Sequence, residues 1–595
     1  MCGIVGYTGE KQALNILIDG LKKLEYRGYD SAGITVVNEN LQNLKAKGKV
    51  KQLSDLSSQN PLTGNVGLGH TRWATHGVPN DINSHPHLSN DGKIALVHNG
   101  IIENYSELKE KLQSKGYIFH SETDTEVGVN LIDYYYKETK DTFKAIRKTI
   151  NDIHGHFAFG VIFQEDKDAI YATRLQNPLV IGLGKGENFI ASDFTPTISY
   201  TKDFYLLEEG EIAKVTKEKV FVLDEKDIEK QVVKYTVDWD IEAAEKGGYE
   251  HFMLKEIHEQ PKAVLDTIKD NLNEQFLAEE VIKNANKIHI VACGSALHAG
   301  LVAKPIIEKL AKISTETYYA SEFRYTNPLI NKGDICIVIS QSGETADTLA
   351  ALRHAKKEGA IILSIVNVLG STIDRESENT VYTKAGPEIA VATTKAYSAQ
   401  LSLLYLIACR LGEVKQGLDK KELLEEIKSL PSKIEELLKS KDDILEYAKS
   451  FNYAKNLFII GRGLDFAAAM EASLKLKELS YIHSEAYAAG ELKHGTISLI
   501  EQGTPVLAIA TQATAEKTIS NLLETVSRGA SPLIFTNKEL NLDIDIKTFK
   551  LPTTNDMFMP SLTAIPLQFF SYYSAYIRDC DIDMPRNLAK SVTVE

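Results

Sequence analysis

The chain has 595 residues, which is too long for a single hydrophobic core, so we expect about three or four domains. Its formal charge of −14 argues against nucleic acid or an anionic membrane as the main partner. Five widely spread cysteines without a C-x-x-C pair predict a reducing cytoplasm and no disulfide framework. A basic-then-apolar leader and an apolar run of about 18 residues are both missing, so we expect no membrane span.

The segment 1–235 combines apolar strand patterns with helical patterns. Apolar spacings of three and four predict helices over "KQALNILIDGLKKLEY" and "DTEVGVNLIDYYYKE". Short apolar runs predict strands, and these read "AGITVVN", "KIALVHNG", "HFAFGVIF", "AIYATR", "NFIASD" and "KVFVLD". Together they predict a layered α+β domain over 1–235. Residues 236–250 are acidic and end in Gly247-Gly248, which predicts a linker.

The rest of the chain reads as a duplicated unit. The strand patterns "KIHIVACG", "GDICIVIS" and "AIILSIVN" are repeated later as "NLFIIGRG", "GTPVLAIA" and "ASPLIFTN". The second pair begins at Gly333 and Gly503 and the third at Ala360 and Ala530, so both have the same offset, and a helical stretch follows each strand. Apolar strands joined by helices predict two doubly wound α/β domains with parallel sheets. We place them at 251–425 and 426–595.

The amino terminus, "MCGIVG", puts Cys2 directly behind the initiator Met. If Met1 is removed, the thiol shares a residue with a free α-amine. Such an amine titrates near ~7.7–8.0 and suits a general base at neutral pH. A thiol beside its own base is a ready nucleophile, although a buried structural cysteine is the alternative on these residues alone.

Four further stretches of the first domain belong with this cysteine. They read "EYRGYDSAG" (25–33), "HTRWATHG" (70–77), "VHNGIIEN" (97–104) and "SETDTEV" (121–127). Each alone would fit a turn or a helix cap. Together with "MCGI" they resemble the class II glutamine amidotransferases, which are hydrolases with an N-terminal nucleophile. The resemblance implies layers in the order α-β-β-α.

That resemblance implies a role for each residue of the set. Cys2 attacks the side-chain amide of glutamine while its α-amine relays the proton. Asn99 and the N–H of Gly100 stabilise the oxyanion. Arg72 holds the α-carboxylate, Asp124 holds the α-ammonium, and Trp73 gates a passage for ammonia. The glutamine-binding residues implied in this way are Arg72, Trp73, Thr75, His76 and Asp124.

A histidine pair nearby, His85 and His87 in "SHPHLS", raises the question of a metal. No third ligand stands at a familiar spacing, so we expect neither a metal nor a cofactor.

The stretch "SQSGETADT" (340–348) follows an apolar strand and opens a helix. Hydroxyl groups and free N–H groups beside a positive helix end suit a phosphate. Plain capping of the helix is the alternative, and the stretch is not a Walker loop because no Gly-Lys-Ser/Thr follows.

The duplicated unit with "SQSGET" resembles the sugar isomerase (SIS) domain family. The stretch "KLKELSYIHSEAYAAGELKHG" (475–495) and the tail "PRNLAKSVTVE" (585–595) extend the likeness to isomerising sugar-phosphate aminotransferases. The resemblance implies glutamine and fructose 6-phosphate as substrates, amino-sugar synthesis as the pathway and a homodimer. Lys590 forms a Schiff base, Glu478 moves a proton between C1 and C2 beside Lys475, and His494 assists ring opening. The implied sugar-phosphate contacts are Ser295, Ser340, Gln341, Ser342, Thr345 and Thr393.

The sequence departs from this family at two of its loops. Ala296 stands where a hydroxyl is usual, and Thr393 stands where a serine is usual. Two other functions remain open: another class II amidotransferase, and a non-catalytic regulator that binds sugar phosphate. The S-G-G-x-D-S loop of asparagine synthetases is absent. A sensor has no need of a Schiff-base lysine, so Glu478, His494 and Lys590 together favour an enzyme.

Overall fold

The computed structural model describes residues 2–73, 77–237, 246–540, 542 and 544–592. The chain divides into two compact units, residues 1–241 with 591–595 and residues 242–590. The limits of the three domains expected from the sequence stay predictions, and part of the expected linker lies outside the described residues. Among the described helices, none is long and apolar enough to cross a membrane.

Two antiparallel sheets form the centre of the first unit. In spatial order, the eight-stranded sheet contains Tyr235–Thr236, Asp203–Leu206, Val180–Leu183, Asn188–Ala191, Gly3–Thr8, Val66–Arg72, Ser31–Val37 and Leu41–Lys47. The seven-stranded sheet contains Glu229–Lys230, Val220–Leu223, Ile212–Thr216, Ala169–Leu175, Gly155–Phe163, Ile94–Ile102 and His87–Leu88. The strands expected from short apolar runs are therefore present.

Helices cover the outer faces of both sheets. Ala13–Leu24 packs on the first sheet and Asp124–Thr139 packs on the second. An apolar cluster that includes Ile4, Leu68 and Val97 fills the space between the sheets. The remaining α-helices of this unit are Val50–Gln59, Tyr105–Gln113 and Thr142–Asp152. The α-β-β-α order of layers is confirmed.

The first strand passes unusually close to its neighbours. Gly3–Thr8 is buried along its whole length. A Cβ added at Gly3 would lie 2.6 Å from the hydroxyl of Thr71 and 2.8 Å from the Cβ of Leu24. Glycine is needed there because no side chain fits, and this packing fixes the backbone directly after Cys2.

Two five-stranded parallel sheets form the second unit. The first contains, in spatial order, Ser314–Tyr319, Lys287–Ala292, Ile335–Ser340, Ile361–Val366 and Asn379–Tyr382. The second contains His483–Ala488, Asn456–Gly461, Pro505–Ile509, Ser531–Thr536 and Thr548–Lys550. Both follow the order 2-1-3-4-5 of doubly wound folds, which confirms the expected duplication.

The helices of this unit join the two sheets into one core. A single apolar cluster contains strand residues of both sheets together with the buried helices Lys395–Gln416 and Met559–Ile577. The other α-helices are Phe252–His258, Gln260–Asn271, Glu279–Asn284, Gly294–Ala311, Ala320–Thr326, Ala346–Lys357, Thr372–Glu376, Lys421–Leu437, Lys441–Ser450, Leu464–Ser480 and Ala515–Val526. Residues of one half can therefore complete a site in the other.

Candidate active sites

The thiol of Cys2 lies at the start of the first strand, beside the end of Val66–Arg72. Its Sγ accepts a hydrogen bond from the N–H of Trp73 at 3.2 Å. Burial raises the pKa of the Cys2 thiol, and the Trp73 N–H, Arg72 and Arg27 act in the opposite direction. A buried thiol with a raised pKa needs a base to become a thiolate at neutral pH.

The side chain of Asn99 points at the same residue. Its Nδ2 donates to the carbonyl oxygen of Cys2 at 3.0 Å. His70 Nε2 lies 3.0 Å from the carbonyl oxygen of His98 and 3.1 Å from Asn99 Oδ1, which are both acceptors. This nitrogen therefore carries the proton, and burial lowers the pKa of His70 to about 3, so the ring stays neutral. His70 thus holds the amide of Asn99 with its donor group towards Cys2.

Gly100 follows with a backbone that requires glycine. Its φ is +134°, and an added Cβ would lie 2.0 Å from the carbonyl oxygen of His156. Asn177 Nδ2 donates to the carbonyl oxygen of Asn99 at 2.7 Å and fixes the peptide between Asn99 and Gly100. A fixed amide side chain and a fixed peptide can serve as preorganised donors to an oxyanion.

The two charged residues expected to bind glutamine are both buried in this unit. Arg72 ends a strand, and its Nη2 donates to the carbonyl oxygen of Gly77 at 3.2 Å. Asp124 begins a helix, and its Oδ2 accepts the N–H of Ile102 at 2.8 Å. Trp73 packs edge-on against Tyr29 with ring centroids 5.7 Å apart. Thr75 and His76 lie outside the described residues.

The histidine pair packs against the start of the helix that carries Asp124. His87 Nε2 lies 3.0 Å from Thr123 Oγ1, and His85 Nε2 lies 3.3 Å from Thr125 Oγ1. Burial holds the pKa of both imidazoles well below the usual 6.5. Neutral rings bonded to the two residues that flank Asp124 position this helix end. Within the described ranges, no group of three or more His, Cys, Asp and Glu residues has the arrangement of a metal site.

In the second unit, hydroxyl groups meet in the turn after the strand Ile335–Ser340. The hydroxyl oxygens of Ser340 and Thr345 lie 2.9 Å apart, and Ser340 Oγ also accepts the N–H of Gly343 at 3.1 Å. Ser342 Oγ accepts the N–H of Glu344 at 3.2 Å. The helix Ala346–Lys357 begins directly after the turn, so its positive end and these hydroxyl groups suit an anion.

Two neighbours shape this turn. Gly343 has φ +66°, and an added Cβ would lie 1.9 Å from the hydroxyl of Ser371. The carbonyl oxygen of Gln341 accepts the N–H of Asn367 at 3.1 Å. The turn therefore depends on glycine and is held by the next strand-to-helix connection.

The corresponding turn of the other half already holds a carboxylate. Thr511 and Gln512 occupy the positions of the repeat that match Gln341 and Ser342. Their N–H groups donate to Asp465 at 2.8 and 3.2 Å, and the Thr511 hydroxyl donates to it at 2.5 Å. The side chain of Asp465 thus accepts hydrogen bonds from both backbone N–H groups and from the Thr511 hydroxyl group of this turn.

Lys590 lies in the carboxyl-terminal tail, and its side chain is only 5% exposed. Its Nζ is 2.5 Å from Glu388 Oε2 and 3.3 Å from Thr393 Oγ1. Glu388 Oε1 accepts the N–H groups of Thr394 and Ala396. Burial alone would raise the pKa of Glu388, but Lys590 and the N–H donors outweigh it and hold the pKa below its usual value.

A second charged group lies on the helix Leu464–Ser480. Lys475 Nζ is 2.5 Å from Glu478 Oε2 and 3.7 Å from Glu471 Oε1. Burial raises the pKa of Glu478 although Lys475 opposes it. Burial lowers the pKa of Lys475, but the carboxylates of Glu478, Glu471 and Glu388 reverse this and raise it. A carboxyl group with a raised pKa is suited to accept and return a proton.

Ser295, an expected sugar-phosphate contact, and His494, an expected catalytic residue, have different positions. Ser295 donates to Glu471 at 2.8 Å, so it joins the first half of the unit to the charged helix of the second half. His494 ends a short 3-10 helix, Glu491–His494, and is exposed. Within the described chain His494 makes no hydrogen bond with Lys590, Glu478 or Lys475, so the structure does not bring this expected residue to the others.

Four residues of these sites had no role in the sequence-based expectation. They are Arg27, Asn177, Glu388 and Glu471. Arg27 donates to the carbonyl oxygen of Cys2 at 3.3 Å. Arg27 lies in "EYRGYDSAG", so that motif contained the signal for it, and Glu388 lies five residues before Thr393. Asn177 and Glu471 stand in no motif that the sequence singles out.

Comparisons with known proteins agree with this architecture. A glutamine amidotransferase domain model matches residues 70–196, and a SIS domain model matches 281–410 and 450–578. The glutamine–fructose-6-phosphate aminotransferase [isomerizing] of Clostridium tetani is 51% identical over 612 residues, with both chains covered completely. The chain belongs to the glutamine–fructose-6-phosphate aminotransferase family. The glutamine–fructose-6-phosphate aminotransferase [isomerizing] of Methanosarcina acetivorans is 46% identical over 622 residues, again with complete coverage of both chains.

A solved structure supports the same family for the second unit. The C-terminal domain of the glucosamine-fructose-6-phosphate aminotransferase from Francisella tularensis is 38% identical. It matches with a TM-score of 0.55 and covers 57% of this chain and 99% of that chain. The resemblance to an amidotransferase head followed by two SIS domains is confirmed.

Proposed function

We propose that the chain converts fructose 6-phosphate and glutamine into glucosamine 6-phosphate and glutamate, the first step towards UDP-N-acetylglucosamine. One observation carries this proposal: the buried side chain of Lys590 contacts Glu388, while Lys475 and Glu478 form a second, largely buried pair in the same unit. A lysine and a carboxyl group held in this way are the two groups that imine formation and proton transfer between carbons require.

In the first unit, Cys2 is the nucleophile for glutamine. After removal of Met1, the α-amine takes the thiol proton while Sγ attacks the side-chain carbonyl carbon. Asn99 Nδ2 and the N–H of Gly100 donate to the oxyanion, and Arg72 and Asp124 hold the α-carboxylate and α-ammonium. The α-amine returns the proton as ammonia leaves. Water then hydrolyses the thioester to glutamate.

In the second unit, the phosphate binds at the turn of Ser340, Ser342 and Thr345. Neutral Lys590 attacks C2 of the open-chain ketose, and water leaves as the imine forms. Ammonia then displaces the lysine at C2. Glu478 takes a proton from C1 and returns it at C2, so that the ketose imine becomes the aldose amine. The overall reaction consumes one ammonia and releases one water.

We also propose a homodimer, because His494 and its neighbours are exposed. Leu499, in the next short helical turn, is 61% exposed. A second copy that covers this region could bring His494 to the sugar ring of its partner. A cytoplasmic location fits the chemistry, since the nucleophile must remain a reduced thiol.

The direct test is an assay of purified protein with glutamine and fructose 6-phosphate, without added metal or nucleotide. Stoichiometric glucosamine 6-phosphate and glutamate are expected. Lys590→Arg keeps the positive charge but cannot form the imine, so it should lose glucosamine 6-phosphate formation. Binding of fructose 6-phosphate without any product would instead support the sugar-phosphate regulator and refute the proposed enzyme.

A further inference from the structure

The carboxyl group of Glu256 has no role in the proposed mechanism, but it binds the loop that carries Glu388 and Thr393. Glu256 lies on the helix Phe252–His258 and is only 2% exposed. Its Oε1 accepts the N–H groups of Ile389 at 2.5 Å and Ala390 at 3.2 Å. These are the two peptides that directly follow Glu388, so Glu256 fixes the backbone from which Glu388 reaches Lys590.

The same short helix also holds the tail. Asp583 lies seven residues before Lys590, and its carboxylate accepts the N–H groups of Phe252 at 2.9 Å and Met253 at 3.0 Å. The carbonyl oxygen of Asp583 accepts the N–H of Val391 at 3.0 Å. The loop and the tail are therefore bonded to one helix and to each other.

We propose that Glu256 and Asp583 are positioning residues for the imine-forming lysine, because they bind the loop of Glu388 and the tail of Lys590 to one helix. This inference rests on the proposed function of Lys590. Nucleophilic attack tolerates little displacement, and misplacement of a reacting group by about 1 Å costs on the order of 100-fold in rate. A tail that is tied only at its end would sample many positions of Nζ.

Glu256 is a neutral acid when it holds the loop at pH 7. Its Oε2 is buried and has no hydrogen-bond partner among the described residues. Burial and the charge of Glu388 raise the pKa of Glu256 to about 8, while Lys590 and Lys395 oppose the shift. At neutral pH, Glu388 is then the carboxylate that pairs with Lys590. Above pH 8, ionised Glu256 adds a second negative charge beside Glu388, and repulsion between the two carboxylates would displace the loop that Glu256 holds.

Several charged groups lie on the segments around Glu256. The loop and the helix after it contribute Glu388 and Lys395, and the tail contributes Lys590. The helix of Glu256 itself contributes Lys255, and the tail also brings Asp583 to the start of this helix. Lys395 is not a free cation, because its Nζ lies 2.5 Å from Glu259 Oε2. Lys255 lies 3.4 Å from Glu259 Oε1. After burial, the charges of Glu388 and Lys590 have the largest effects on the pKa of Glu256.

The test compares two substitutions in the full-length protein. Glu256→Gln keeps an acceptor for the two N–H groups but cannot ionise, so it should keep kcat at pH 7 within about twofold. Its loss of kcat between pH 7.5 and 9 should be clearly smaller than that of the parent. Glu256→Ala removes the acceptor, and kcat should fall about 10- to 100-fold with little change in KM for fructose 6-phosphate. Glu413→Gln, which alters an ion pair elsewhere in the unit, should leave the pH profile unchanged.

Borohydride trapping separates this inference from the proposed function. Parent protein reduced with fructose 6-phosphate should carry the sugar on Lys590, and Asp583→Ala and Glu256→Ala should trap at least tenfold more slowly. If the parent traps no sugar on Lys590, the proposed function fails. If the parent traps and both variants trap at the parental rate, only the positioning role fails. If the alanine variants do not fold, the pH dependence of kcat decides. A loss of kcat between pH 7.5 and 9 that is the same in Glu256→Gln and in the parent would overturn the inference.

Discussion

Thr345→Val tests the phosphate turn with a change that removes one hydroxyl group and keeps the shape of the side chain. Thr345 Oγ1 lies 2.9 Å from Ser340 Oγ, at the start of the helix Ala346–Lys357. A phosphate at this turn would take the hydrogen bond of Thr345, while the helix end and the Ser340 hydroxyl group remain in the variant. Loss of one hydrogen bond to a charged group costs about 1.5–3 kcal/mol, and we therefore expect a roughly 10- to 150-fold weaker Kd.

Calorimetric titration with fructose 6-phosphate and with inorganic phosphate measures this loss. Both ligands should weaken by the same factor, because they share the phosphate. Thr345→Ser keeps the hydroxyl group and serves as the control, so its Kd should stay within about threefold of the parent. Glutamate release without sugar should not change. A Kd of Thr345→Val within twofold of the parent for both ligands would show that the phosphate binds elsewhere.

Three further predictions concern other parts of the chain. Cys2→Ala should abolish glutamate release from glutamine and leave isomerisation of fructose 6-phosphate intact; parental glutamate release would exclude Cys2 as the nucleophile. Asp465→Ala should lower stability by about 1–3 kcal/mol in urea, since buried N–H groups lose their acceptor; an unchanged midpoint would contradict this. Between pH 5 and 7.5, Glu256 of the parent keeps a proton in the folded state that the unfolded chain has lost, so the parent loses stability as pH rises. Glu256→Gln has no such proton, and its free energy of unfolding should rise relative to that of the parent by up to about 1.4 kcal/mol per pH unit. Parallel melting profiles across this pH range would refute that assignment.

The order of strands and helices could be predicted because each element carries its own pattern. Uniformly apolar runs such as Gly155–Phe163 and Ile335–Ser340 are buried strands, as their composition indicates. The constant offset between the repeated strand patterns likewise predicted two sheets of the same order. These patterns are local or periodic, so the elements can be predicted from them without knowledge of the packing.

The contacts that build the proposed sugar site could not be predicted from such patterns. Glu388 and Lys590 are 202 residues apart in the chain, and Ser295 and Glu471 are 176 apart. No local periodicity encodes these pairs. The spacing of Lys475 and Glu478 also fits an ordinary solvated ion pair, and only the packing of the helix shows that Lys475 is 1% exposed.

The carboxylate that occupies the turn of the second half could not be predicted from the sequence either. The repeat predicts a strand-to-helix turn in both halves, and Asp465 bonds the turn of the second half. The carboxylate comes from a different element, the helix Leu464–Ser480, and reaches the turn only through the fold. His494 shows the opposite case, since a motif marks it while the described chain leaves it exposed.

The most direct test of the central claim is the identity of the lysine that bonds to the sugar. Protein incubated with fructose 6-phosphate and reduced with borohydride would be digested, and the modified peptide would be mapped by mass spectrometry. We expect one sugar phosphate per chain, attached to Lys590 through a secondary amine, and no adduct in Lys590→Arg. An adduct on any other lysine, or full glucosamine 6-phosphate synthesis by Lys590→Arg, would contradict the account.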